Sequence, residues 1–146
     1  MQAYHKIIVA TDFSPGSEHA ARRGQLLAEQ NNAELILLHV VEGFPEDLPV
    51  EWVGPEDVDP KTYITERAMQ SLQAFAERLG ITEAKWDVVF SDRGPRQEIV
   101  AYAQQQEADL ILLGATGAHG IVGLLGTTVC GVIQTAQCDV LAVRTV

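Results

Sequence analysis

Cysteines, cations and long apolar runs are all scarce in this chain. Only Cys130 and Cys138 occur, one on a helical pattern and one at the start of an apolar strand pattern. They read as small buried hydrophobes in a reducing compartment, which excludes a disulfide framework. Metal-ligand spacing is missing too, so no metal site is expected. Ten Lys and Arg face twenty Asp and Glu, for a net charge of −10; such a surface repels nucleic-acid phosphates and anionic membranes. Charges or glycines interrupt every apolar run before it reaches membrane-spanning length, and the first run is too short for a signal-peptide core and ends at Asp12. What remains is ordinary globular composition, 47% hydrophobic and 21% charged over 146 residues. One soluble domain over residues 1–146 is expected.

The most informative stretch reads A-D-L-I-L-L-G-A-T-G-A-H-G-I-V-G-L-L-G-T-T, residues 108–128. Its apolar start, residues 110–113, suits a strand buried on both faces. Gly114, Gly117, Gly120, Gly123 and Gly126 follow, and Thr127 and Thr128 then precede a helical pattern of Val129, Val132, Ile133 and Ala136. A strand, a glycine-rich loop and a helix start together make an anion site: glycine lets a ligand approach main-chain N–H groups, and the helix N-terminus adds unpaired donors and partial positive charge. The absence of a lysine after the glycines excludes a P-loop, and the late position in the chain excludes a Rossmann dinucleotide turn. A purely structural loop is the competing reading.

Elsewhere strand and helix patterns alternate. An apolar run at residues 7–10 leads through Thr11, Asp12 and Phe13 to Ser14 and Pro15, a cap and a first-turn proline. Ala21, Gly24, Leu27 and Ala28 mark the buried stripe of that helix, which ends near Asn31 and Asn32. A second strand at residues 34–41 carries His39, read as a satisfied strand histidine. Residues 42–59 hold seven acids and no Lys or Arg, an irregular acidic loop with no metal spacing. Asp59 and Pro60 open a helix closed by Gly80; Trp86, Val88 and Phe90 alternate with polar residues in a half-wet strand that belongs near an edge; Gly94 and Pro95 open a third helix. Val140 to Val143 is a last apolar strand. Five strands alternating with four helices predict an α/β fold, a five-stranded parallel, doubly wound sheet with helices on both faces. In such a sheet ligands bind at the carboxyl ends of the strands, where the strand order reverses.

The segments K-I-I-V-A-T-D-F-S (6–14), L-I-L-L-H-V-V-E (35–42), G-P-R-Q-E-I-V (94–100), A-D-L-I-L-L-G-A-T-G (108–117) and C-D-V-L-A-V-R (138–144) resemble the universal stress protein family over nearly the whole chain. The resemblance implies a Rossmann-like, adenine-nucleotide-binder fold, cytoplasmic location, a homodimer and a part in the stress response. The ATP-binding branch of the family resembles G-x2-G-x9-G-[ST]. Set on it, Gly114 and Gly117 match the first pair, Gly126 the third glycine and Thr127 the hydroxyl position, with Thr128 beside it. Ala10, Thr11, Asp12 and Val40 fall at the adenosine end. Eight residues rather than nine separate Gly117 from Gly126, so the loop is one residue short. No Lys or Arg lies between Gly114 and Val143, leaving His119 as the sole side-chain cation there and implying a divalent ion such as Mg²⁺ beside ATP.

The leading expectation is a dimeric ATP-binding regulator without catalytic residues. The alternative is an interaction module of the same fold that binds no nucleotide, and a slow ATP hydrolase or phosphotransfer protein comes third. Dimerisation is expected through the last strand, Val140 to Val143, whose side chains leave no polar face and whose edge would be open to a second copy.

Overall fold

Side-chain caps fix two of the helix starts among the described residues. The computed structural model describes residues 3–42, 59–116 and 126–144. Within them the order is β1 (Lys6–Ala10), α1 (Pro15–Asn31), β2 (Glu34–Glu42), α2 (Pro60–Leu79), β3 (Lys85–Ser91), α3 (Pro95–Gln106), β4 (Leu110–Gly114), α4 (Thr127–Thr135) and β5 (Asp139–Val143). Ser14 caps α1 by accepting from Ser17 N, and Asp59 caps α2 by accepting from Thr62 N; a proline follows each cap. At the other ends Asn32, Gly80 and Glu107 adopt left-handed conformations and return their N–H groups to the last turn.

The five strands form one parallel sheet in the order β3-β2-β1-β4-β5. The chain therefore winds outward from β1 to β3, crosses back beside β1 as β4, and finishes at the opposite edge. The half-wet β3 and the apolar β5 are the two edge strands, as their patterns predict.

Alternate residues of the central strands feed two cores. Ile7, Val9, Leu35, Leu37, Leu110 and Leu112 meet Ala20, Ala21 and Ala28 of α1 and Leu72, Phe75, Ala76 and Leu79 of α2. Ile8, Ile36, Leu38, Ile111 and Leu113 meet Ile99, Tyr102 and Ala103 of α3 and Val129 and Val132 of α4. Both faces of β4 are buried, which is why residues 110–113 read as an unbroken apolar run.

Two expectations need correction. Ile133, placed on the apolar stripe of α4 by its spacing, is 47% exposed, because Val129 and Val132 alone reach the sheet in this short helix. Cys130 and Cys138 are free, but partly rather than fully buried; Cys138 packs at the margin of the core that holds α3 and α4. The acidic segment 43–58 lies outside the described residues.

Candidate functional site

The strand order reverses between β1 and β4, and the carboxyl ends of these strands lie side by side. Beyond β1 the chain makes a tight turn. Thr11 N donates to Leu38 O at 2.9 Å, Phe13 N to Thr11 Oγ1 at 2.9 Å and Ser14 N to Asp12 Oδ1 at 3.0 Å. The turn places Phe13 at φ 64°, an uncommon backbone conformation for a bulky residue. Its ring is fixed by His39, with centroids 4.5 Å apart, and edge-on by Phe75 at 5.7 Å. His39 in turn donates Nδ1–H to Thr11 O at 2.9 Å; a carbonyl only accepts, so this pairing sets the tautomer. The result is a braced turn that leaves Asp12 exposed at the mouth of the crevice.

Two glycines bring the second segment in. A Cβ on Gly16 would stand 2.7 Å from Thr116 O, and one on Gly114 would stand 2.7 Å from Gly16 C. The first turn of α1 and the end of β4 thus touch backbone to backbone, closer than any side chain allows. Gly126 N then donates to Ala115 O at 2.8 Å, so the chain leaving β4 at Ala115 is tied to its return at the start of α4. Gly126 is the N-cap of α4 and, having no side chain, offers no capping group; the first-turn N–H groups at Thr127 and Thr128 head toward the same end of the sheet.

The third wall is β2, which outruns β1. The last β1–β2 register pair is Ala10 with Leu38, while β2 continues to Glu42. Leu38 O accepts from Thr11 N, so Leu38 faces β1; two residues on, the main-chain groups of Val40 face the same side, past the last β1 residue. An acceptor and a donor in that position match the edge of a heterocyclic base.

A sequence profile of the universal stress protein family matches residues 3–144. The universal stress protein A homolog 2 of Coxiella burnetii is 33% identical over 146 residues, covering 99% of this chain and 97% of its own length. The chain belongs to the universal stress protein family. Among solved structures, universal stress protein UspA from Lactobacillus plantarum superposes with a TM-score of 0.72 at 26% identity, covering 99% of this chain and 100% of its own. A universal stress protein in complex with cAMP superposes with a TM-score of 0.67 at 26% identity, covering 97% of this chain and 98% of its own.

Of the residues that the family pattern singles out, Asp12, Val40, Gly114, Gly126, Thr127 and Thr128 flank this one crevice. Thr127 is exposed and Thr128 half-buried. Gly117 and His119 lie outside the described residues. Ala10 and Thr11 behave differently from the rest. Ala10 is packed in the α3–α4 core, and the buried Thr11 hydroxyl is spent inside the protein, donating to Ser17 Oγ at 2.8 Å and accepting from Phe13 N. Both side chains are turned into the protein and shape the turn that carries Asp12. Gly16 and Ser17 were not anticipated. The available sequence signal was small residues immediately after the Ser14-Pro15 cap, where a helix start must pack against another backbone. No membrane-spanning helix and no cluster of three or more metal-ligating side chains occurs among the described residues.

Proposed function

We propose that this universal stress protein binds ATP in the crevice at the carboxyl ends of β1, β2 and β4, and acts as a cytoplasmic, homodimeric stress-response regulator by binding rather than by turnover. The observation that carries the reading is the Gly16–Gly114 contact, which sets the Asp12 turn, the end of β4 and the side-chain-uncapped start of α4 around one space. The likeness to a relative solved with cAMP supports an adenine nucleotide as the occupant. Asp12 accepts from ribose hydroxyl or adenine amine groups, and Val40 main-chain groups read the base edge. Gly114, Gly117, Gly126, Thr127 and Thr128 supply main-chain and hydroxyl donors to the phosphates. With Lys and Arg missing from residues 115–142, Mg²⁺ neutralises the remaining phosphate charge. Calorimetric titration with ATP, with and without Mg²⁺, tests this: saturable binding strengthened by Mg²⁺ is expected. Heatless titrations under both conditions would favour the nucleotide-free interaction module. Sustained phosphate release would favour the hydrolase.

The dimer is assigned to β5. Val143 O accepts from Ala115 N, so Val143 and Leu141 turn their main chain to β4, while Val140 and Ala142 turn theirs to the open edge. Leu141 is 37% exposed, and an antiparallel second copy would cover it while pairing those edge groups. Light scattering at micromolar concentration should give a dimer. Ala142→Pro, which deletes an edge-facing donor and none facing β4, should give a monomer.

A further inference from the structure

The outward face of α1 carries charge that takes part in no ion pair among the described residues. His19, Arg22, Arg23 and Leu26 stand at helical spacing on this face and, with Val143 and Arg144 at the end of β5, line an open groove of about 450 Å³. In a chain with twice as many acids as cations, an arginine would be expected to find a carboxylate. Ion pairs among the described residues join Lys6 and Lys85 to Glu34, Arg78 to Glu18, and Arg93 to Glu98; neither Arg22 nor Arg23 takes part. The reason is local. Glu18, one turn before Arg22 and its natural partner on the helix, is turned away to Arg78 of α2. Arg23 has His19 and Leu27 at the positions four residues away, and Ala20 and Leu26 at those three away. Leu26, at the far end of the groove, is 47% exposed.

We infer that this groove is a docking surface for an acidic segment of a partner protein, one that carries an apolar side chain among its carboxylates. Charge complementarity selects the sign of the partner. The groove follows α1 from His19 to Leu26, about 10 Å along the axis, which suits a peptide rather than a single small anion. The apolar end formed by Leu26 rewards a side chain that an inorganic phosphate or a nucleic-acid backbone lacks. The net charge of −10 also opposes a long polyanion, whereas a short acidic segment sits within a screening length of the arginines. This inference is independent of nucleotide binding, because none of the groove residues belongs to the crevice set.

The test is fluorescence anisotropy of a labelled peptide of repeating Glu-Glu-Leu, at low salt, with the full chain. Saturable binding is expected. It should weaken by about tenfold or more in Arg22→Glu/Arg23→Glu and to a lesser degree in Arg22→Gln/Arg23→Gln and in Leu26→Ser, with thermal melting curves close to wild type because all three positions are exposed. Undiminished binding by both double variants would overturn the proposal. So would equal displacement of the peptide by tripolyphosphate or by a single-stranded oligonucleotide, which would mark a general anion surface.

Discussion

The two ends of the sheet are built to opposite specifications. At the amino end every exposed strand start is answered from within. Asp109 accepts from His5 N at 2.8 Å and Lys6 N at 3.1 Å, tying the starts of β1 and β4. Tyr4 donates its hydroxyl to Asp139 at 2.8 Å, and Glu34 pairs with Lys6 and Lys85 across three strands. This end even holds a concavity of about 190 Å³ between the last turns of α3 and α4, lined by Val100, Ala103, Ala108, Ile111, Ala136 and Cys138 among others. Burial, and then the nearby Asp139 and Asp109, hold the Cys138 thiol above its ordinary pKa, which leaves it protonated and unreactive. At the carboxyl end a positive-φ turn, two glycines in backbone contact, a strand that outruns its neighbour and a helix start without a side-chain cap converge instead. Empty volume alone therefore does not distinguish the two ends, whereas convergence of polar main-chain groups does.

The largest effect should come from closing the glycine contact. Gly114→Ala sets a Cβ 2.7 Å from Gly16 C, and because the obstacle is backbone it cannot rotate aside. The start of α1 must move off β4, at a cost of about 1–3 kcal/mol in stability. Urea unfolding should show that loss, and ATP affinity should fall by at least about tenfold as the Asp12 turn moves with the helix. Wild-type values for both would mean that the contact positions nothing.

That contact also marks the limit of what the sequence discloses. Helix and strand boundaries were legible because caps, prolines and apolar spacing act within a few residues: Ser14-Pro15, Asp59-Pro60 and Gly80 each did what their chemistry requires. The edges were legible in the half-wet alternation of β3 and in β5 as the final strand. The family motifs brought Asp12, Val40, Gly114 and Gly126 to one place. Long-range facts were not legible. Nothing near Gly16 announces that its partner is Gly114, and nothing near Thr11 announces that Ser17 and Phe13 consume its hydroxyl. Ile133 fits an apolar stripe by spacing alone, yet the helix is too short and too close to the β5 edge to bury it.

Asp12 and Asp109 make the comparison between the ends sharp, since each is an aspartate accepting main-chain N–H groups beside β1. Asp12→Ala should weaken ATP binding by ~1–3 kcal/mol, the cost of a lost charge-assisted hydrogen bond, measured by calorimetry. Asp12→Asn keeps an acceptor for Ser14 N, so a comparable loss in that variant would assign the effect to the ligand rather than to the turn. Unchanged affinity in both would take Asp12 out of the site. Asp109→Ala removes the acceptor of two main-chain donors and should cost about 1–2 kcal/mol in chemical unfolding, while ATP affinity stays at its wild-type value. A fall in affinity on that substitution would show the two ends to be coupled through β1 and β4.

The smallest effect concerns pH and belongs to the amino end alone. The hydrogen bond from Lys85, reinforced by the charges of Lys85 and Lys6, holds the Glu34 carboxyl below its ordinary value of 4.5 against an opposing contribution from burial. The unfolded chain therefore takes up a proton at this position before the folded chain does. The contribution to stability is complete above the ordinary value and drains away as the pH falls through the lower, folded one. Glu34→Gln should melt earlier than wild type near neutral pH, and the gap should close on acidification to about pH 3. Both lysines are solvated, so the gap should also narrow in high salt. ATP affinity should follow neither trend, because Glu34 stands at the opposite end of β2 from Val40. A gap that widened in acid would reverse the sign of the interaction and remove the Lys6–Glu34–Lys85 bridge from the account of how this end is held.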